Sequence, residues 1–215
     1  MYSLVVRNLK SVIAAGGLGT RLQNFRGNQS TKILLEVGGI PMINRQITQL
    51  CDWGCKDFII ITNPDFGDLI KKITTEAFPR LNLKFATQDE PKGISHALKQ
   101  AEFHVDKDEK ILFILGDNFF ENNPIIDFDF SQFEKGSYIF TKSVDNPEEF
   151  GVAQMDNKGN VVSIDEKPIA PKSDLAVVGI YIFDETVFEK ISTLSPSSRG
   201  EYEITDLCNI YVQEN

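Results

Sequence analysis

Short, unbroken apolar runs separated by helical patterns dominate the first 120 residues. SVIAA at 11–15, FIIIT at 58–62 and ILFIL at 111–115 carry no polar alternation, and residues 83–86 are a further extended stretch. Runs of this kind are what a strand buried on both faces requires. Between them, 41–50 reads as a helix, with Pro41 at an early position and Ile43, Ile47 and Leu50 at helical spacing. Residues 68–75 and 94–102 also read as helices, and Asn63-Pro64-Asp65 closes the second apolar run.

The texture changes after Asp117. Residues 140–144, 151–155 and 161–164 read as short strands, the last two joined by the turn Asp156-Asn157-Lys158-Gly159-Asn160. A strand over 174–183, a helix from Glu185 to about Ser192 and a closing helix over 205–213 complete the pattern. The expected fold class is α/β: a Rossmann-like, mostly parallel sheet with helices on both faces and a mixed second half. The expected division is an N-terminal extension at 1–10 and a single domain at 11–215, with halves meeting near residue 120.

Composition narrows the function. Apolar residues make up 41% of the 215 and charged residues 25%, so the chain can build a full core without staples. Lys and Arg number 22 against 31 Asp and Glu, a net charge of −9. That balance argues against nucleic-acid partners and anionic membrane surfaces, while a few local cations still suffice for an anionic small ligand. Cys51, Cys55 and Cys208 form no CxxC pair, which argues against a structural zinc site and for a reduced compartment. Arg7 and Lys10 interrupt the N-terminus before a signal-type apolar run develops, and no stretch reaches the 18 or so apolar residues of a membrane span. A soluble cytoplasmic protein is expected.

The first apolar run ends in Gly16-Gly17-Leu18-Gly19-Thr20-Arg21-Leu22. Glycines there let backbone N–H groups approach a phosphate closely. A dinucleotide fingerprint would want a third glycine where Leu22 stands, and a Walker loop would want G-K-S/T, which is absent. A plain structural turn is the remaining alternative. Arg21 and Lys32 add a guanidinium fork and a point charge, a combination suited to a polyphosphate.

Four later segments, in order, are Gln88-Asp89-Glu90-Pro91-Lys92-Gly93, Leu115-Gly116-Asp117-Asn118, Asp165-Glu166-Lys167-Pro168 and Arg199-Gly200-Glu201-Tyr202-Glu203-Ile204-Thr205-Asp206. With the glycine loop in front, the chain resembles the sugar-1-phosphate nucleotidyltransferase superfamily. Within it, the chain resembles the glucose-1-phosphate thymidylyltransferase family from about Ser11 onward. The resemblance implies the nucleotide-diphospho-sugar transferase fold. It also implies attack by a sugar-1-phosphate oxygen on the α-phosphorus of dTTP or UTP, giving an NDP-sugar and pyrophosphate. The nucleophile is already anionic, so no general base is needed, and catalysis rests on alignment and cations.

By the same resemblance, Arg21 and Lys32 would hold the triphosphate above Ala15, Gly16, Gly17 and Gly19. Lys167 would hold the sugar's phosphate, Asp117 would bind Mg²⁺, and Gln88 with Gly93 would form a nucleobase clamp. Gly151, Glu166, Val177, Tyr181 and Glu201 would meet the sugar. The implied partners are a nucleoside triphosphate and a sugar 1-phosphate, with homo-oligomerisation left open. His96 and His104 receive no role. Thr31 departs from the proline that often precedes the lysine. The W-x-D-x-G segment, which carries the family's second metal aspartate, is not found in these 215 residues. That departure keeps a non-catalytic sugar-nucleotide-binding or regulatory relative as the alternative to an enzyme, and an NAD(P)-binding Rossmann protein stands third.

Overall fold

The computed structural model describes residues 9–17 and 31–214. In chain order the elements are β1 (Leu9–Ala14), β2 (Glu36–Val37), β3 (Ile40–Pro41), α1 (Met42–Asp52), β4 (Asp57–Thr62), α2 (Gly67–Ala77), β5 (Asn82–Thr87), α3 (Ile94–Lys99) and β6 (Lys110–Leu115). The second half holds β7 (Ser137–Ser143), β8 (Gly151–Met155), β9 (Val161–Glu166), β10 (Leu175–Phe183), α4 (Val187–Ile191) and α5 (Ile204–Gln213).

An eight-stranded sheet runs in the order β5-β4-β1-β6-β10-β8-β9, with β7 pairing β10. The strands β5, β4, β1 and β6 are parallel neighbours, while β10 is antiparallel to β6, β7 and β8, and β8 to β9. The parallel first half and the mixed second half therefore both form.

Both faces of the sheet are covered, which explains why its central runs lack polar alternation. Along β1, β4, β6 and β10 the residues Val12, Ile59, Ile61, Phe113 and Phe183 point to one face, where α3, α4 and α5 supply Leu98, Phe188 and Leu207. Their neighbours Ile13, Ile60, Leu112, Ile114 and Ile182 point to the other, against Ile43, Ile47 and Leu50 of α1 and Ile70 of α2. Each such buried side chain contributes about 1.5–3 kcal/mol relative to its exposed state.

Three boundaries differ from the sequence reading. β1 begins at Leu9, so Leu9 and Lys10, expected in the extension, are ladder residues paired with Lys110 and Ile111. The buried Lys10 ammonium pairs with Glu109 at 3.0 Å. The 94–102 helix ends at Lys99 and resumes as a 3-10 turn at Glu102–His104. Residues 119–133, which had no prediction, carry Ile125 and Phe133 into the core beside Phe128 and Phe130.

Candidate active site

Four parallel strands point their carboxyl ends at one cleft, the edge where open α/β sheets bind ligands. Its volume is about 400 Å³, and Ala15, Gly16, Gly17, Lys32, Gln88, Gly93, Asp117 and Glu201 all line it. Gly19 and Arg21 lie outside the described residues.

The glycine loop is tied to the sheet from below. Ala15 N–H donates to the Ile61 carbonyl at 2.8 Å, and the Asn63 amide donates to the Gly16 carbonyl at 2.9 Å. Gly16 is a tight position, where a Cβ would stand 3.1 Å from the Thr62 carbonyl and the backbone there would have to give by a few tenths of an ångström. Gly17 is exposed, and nothing would stand near a Cβ there. Thr31, the departure noted in the sequence, donates its hydroxyl to the Gly17 carbonyl at 3.2 Å.

Lys32 opens a 3-10 turn at Lys32–Leu34 and reaches across the cleft to Asp117, with Nζ 2.6 Å from Oδ2. Asp117 stands two residues past β6, and its Oδ1 accepts from the Asn118 amide at 2.9 Å. Asn118 Oδ1 in turn accepts from the Gly179 N–H at 3.3 Å. A Cβ on Gly179 would lie 2.9 Å from Asn118 Cγ, so a glycine inside β10 is what lets the Asp117-Asn118 loop sit down. Gly179 also falls where the β10–β7 register shifts, between Val177 and Tyr181. Among the described residues, no three His, Cys, Asp or Glu side chains converge as a metal cage.

On the base side, Gln88 is 8% exposed, and its Nε2 lies 3.0 Å from the Gly93 carbonyl. Gly93 adopts φ +102°, and a Cβ would stand 2.7 Å from the Tyr202 carbonyl. The Lys92 carbonyl accepts from Tyr202 N–H (2.8 Å), and the Tyr202 carbonyl accepts from Ser95 N–H (3.1 Å). The Q-x-x-P-x-G segment and the R-G-E-Y-E segment are thus zipped together by main chain, although more than a hundred residues separate them.

The sugar-side candidates gather on a charge cluster. Gly151 and Glu166 are partners in the β8–β9 ladder, and a Cβ on Gly151 would collide with Thr205 Cγ2 at 2.7 Å. Arg199 Nη2 lies 3.1 Å from Glu166, 3.5 Å from Glu201 and 2.7 Å from the buried Glu203. Burial, and next the Glu203 charge, push the Glu166 carboxyl above its ordinary range despite Arg199 and Lys167. Lys167 has φ +44° and is the only non-glycine residue with positive φ among the described residues. Its N–H donates to the Phe150 carbonyl at 2.9 Å.

Tyr181 is 3% exposed and packs against Phe113 and Phe183 in the core; of the sugar-side candidates Glu201 lines the cleft, while Gly151, Glu166, Lys167, Val177 and Tyr181 do not. Sequence reasoning gave no role to Arg199, Gly179 or His96. The signals were present: an arginine two and four residues ahead of acids, and a lone glycine inside an apolar strand. His96 had no local signal, since its contact with Gln88 crosses a turn.

Comparison with known proteins agrees with this geometry. The nucleotidyl transferase family model matches residues 10–215, and the chain belongs to that family. It is a nucleotidyltransferase. A glucose-1-phosphate thymidylyltransferase of Mycolicibacterium smegmatis is 36% identical over 207 residues, which cover 95% of this chain and 71% of the relative. That of Neisseria meningitidis is 36% identical over 214 residues, covering 96% and 72%. A Bacillus anthracis structure with sucrose bound, assigned as a glucose-1-phosphate thymidylyltransferase, superposes with TM-score 0.85 at 38% identity, covering 96% of this chain and 84% of that one. A UDP-glucose pyrophosphorylase bound to UDP-glucose shares the fold at TM-score 0.82 and 20% identity, covering 96% and 87%. No helix among the described residues is long and apolar enough to cross a membrane.

Proposed function

We propose that the chain joins a hexose 1-phosphate, glucose 1-phosphate in the first instance, to dTTP or UTP. The sugar-phosphate oxygen forms a bond to the α-phosphorus, the α–β bridging bond breaks, and pyrophosphate leaves with the electron pair. The observation that carries this reading is the convergence of Gly16, Gly17, Lys32, Gln88, Gly93, Asp117 and Glu201, from separate segments, on one cleft.

In this reading Lys32 leaves Asp117 for the triphosphate when substrate arrives, and Arg21 and the Gly16 and Gly17 amides share the load. Lys167 screens the repulsion between two anionic reactants, which is where most of the barrier lies. Gln88 reads the base edge, Gly93 leaves room for the ring, and Glu201 and Glu166 accept from sugar hydroxyls, as carboxylates do without needing donors.

Mg²⁺ suits the oxygen donor of Asp117, and with no protein cage among the described residues, phosphate oxygens and water would supply its other ligands. When bound, the metal would neutralise charge on the phosphates. The test is pyrophosphate release from each NTP with glucose 1-phosphate and Mg²⁺. Release with dTTP or UTP is expected; binding without release would assign the chain to a non-catalytic role.

A further inference from the structure

His96 stands directly behind the residue proposed to read the base. Gln88 Nε2 is 3.0 Å from the Gly93 carbonyl and 3.1 Å from His96 Nδ1. A carbonyl can only accept, so the amide nitrogen must face Gly93. The second amide hydrogen then goes to Nδ1, a hydrogen-bond assignment that puts the imidazole proton on Nε2. Both Nε2 hydrogens are engaged, and Oε1 makes no hydrogen bond among the described residues.

His96 is itself held firmly. Its ring stacks on Tyr202 with centroids 6.1 Å apart and planes at 26°. Gln100, one turn on, donates its amide to the His96 carbonyl at 2.9 Å; the same nitrogen lies 3.4 Å from Nε2, and with the ring proton on Nε2 these two donors form no hydrogen bond. Tyr202 is the residue whose main chain brackets Gly93. The imidazole is therefore clamped between the base-side and sugar-side segments.

We propose that His96 is a positioning residue that sets base specificity, by holding Gln88 as a group that only accepts. Such a group pairs with uracil or thymine, whose N3 carries a hydrogen, and rejects cytosine, whose N3 is an acceptor. The proposal rests on the reading that Gln88 faces the base. Without His96, one amide hydrogen loses its partner, and the Gln88 side chain is free to offer it to cytosine. A hydrogen bond of this kind is worth about 0.5–1.5 kcal/mol, or roughly a three- to tenfold change in selectivity.

The test measures kcat/KM for pyrophosphate release with UTP and with CTP at saturating glucose 1-phosphate. In His96→Ala the UTP/CTP ratio is expected to fall about tenfold, with kcat for UTP within about twofold of the parent. His96→Asn, which offers an acceptor near the Nδ1 position, is expected to restore the ratio. An unchanged ratio in His96→Ala overturns the proposal. So does an equal loss with both nucleotides that His96→Asn fails to recover, since that is what a purely structural residue would produce. Gln88→Ala separates the two levels: if it shifts the ratio and His96→Ala does not, only the role of His96 falls. If neither shifts it, the base-reading role of Gln88 falls as well.

Discussion

The proposed nucleotide side and the proposed sugar side are built on different physical principles. The nucleotide side is mostly backbone, with Ala15, Gly16 and Gly17 at the end of β1, fastened to β4 by the 2.8 Å and 2.9 Å bonds from Ala15 and Asn63. The sugar side is mostly side-chain charge: Glu166, Glu201 and Glu203 around one guanidinium, with Glu203 only 6% exposed. Backbone groups at strand ends are held by the sheet's own hydrogen bonds. A cluster of three carboxylates is held by one cation and repels itself when that cation goes. The first region should therefore fail through shape and the second through charge.

The largest expected effect is at Asp117, the acid that would hold Mg²⁺. Asp117→Asn keeps the shape but removes the anionic oxygen opposite Lys32, and we expect kcat to fall on the order of a thousandfold with the melting temperature little changed. Pyrophosphate release across a Mg²⁺ titration checks this, and turnover that survives Asp117→Asn without added Mg²⁺ demand would assign the chemistry to another acid.

Gly93→Ala comes next. A Cβ there would meet the Tyr202 carbonyl at 2.7 Å and its nitrogen at 2.8 Å, both backbone, with φ at +102°. The expected cost is about 3 kcal/mol, a fall in Tm on the order of 10 °C at this size. Gly17→Ala, where nothing stands within 4 Å, should leave Tm within about 1 °C, and calorimetry of the pair checks that shape rules the nucleotide side.

Arg199→Met should cost about 2 kcal/mol near neutral pH, because it leaves the buried Glu203 uncompensated. The sign of its pH dependence follows from the carboxylates. Glu166 is already held above its ordinary pKa by burial and by Glu203. Removing the cation lifts the folded-state value of Glu166 further above the unfolded one, so the folded state binds more protons. The deficit should shrink as pH falls toward the carboxylate range and grow as pH rises. Denaturant melts from pH 5 to pH 8 read this directly, and a deficit independent of pH would mean that Arg199 acts by packing.

Lys167→Ala gives the smallest predicted loss, at least about tenfold in kcat/KM, with most of it in the sugar-phosphate KM. Its positive φ of +44° makes Lys167→Gly the informative companion. Glycine relieves the backbone while removing the charge, so it should be as slow as alanine but more stable by about 1 kcal/mol.

The same contrast explains what was legible in the chain beforehand. Buried strands announce themselves locally, so FIIIT and ILFIL located β4 and β6 within a residue, and the glycine loop marked the end of β1. The L-G-D-N segment was readable because Asp117 follows its strand directly. The 3-10 turn that carries Lys32 was not, since three residues carry no periodicity. Nor was the clamp on Arg199, whose four members come from β9 and the 199–203 segment and meet only through the fold. Tyr181, which the resemblance assigned to the sugar pocket, is packed in the core, where burial drives its phenol pKa upward.

If the two proposed sides bind two different substrates, one kinetic matrix separates them. Gln88→Ala and Glu166→Gln are each assayed for KM with dTTP or UTP and with glucose 1-phosphate. Gln88→Ala should raise the nucleotide KM by about three- to tenfold and leave the sugar-phosphate KM within about twofold, since Oε1 alone meets the base and a single hydrogen bond is worth about 0.5–1.5 kcal/mol. Glu166→Gln should do the reverse, and should also melt slightly higher near neutral pH, because it removes a carboxylate that burial and Glu203 disfavour. Equal shifts of both constants in both variants, or no shift in either, would contradict the division of the cleft.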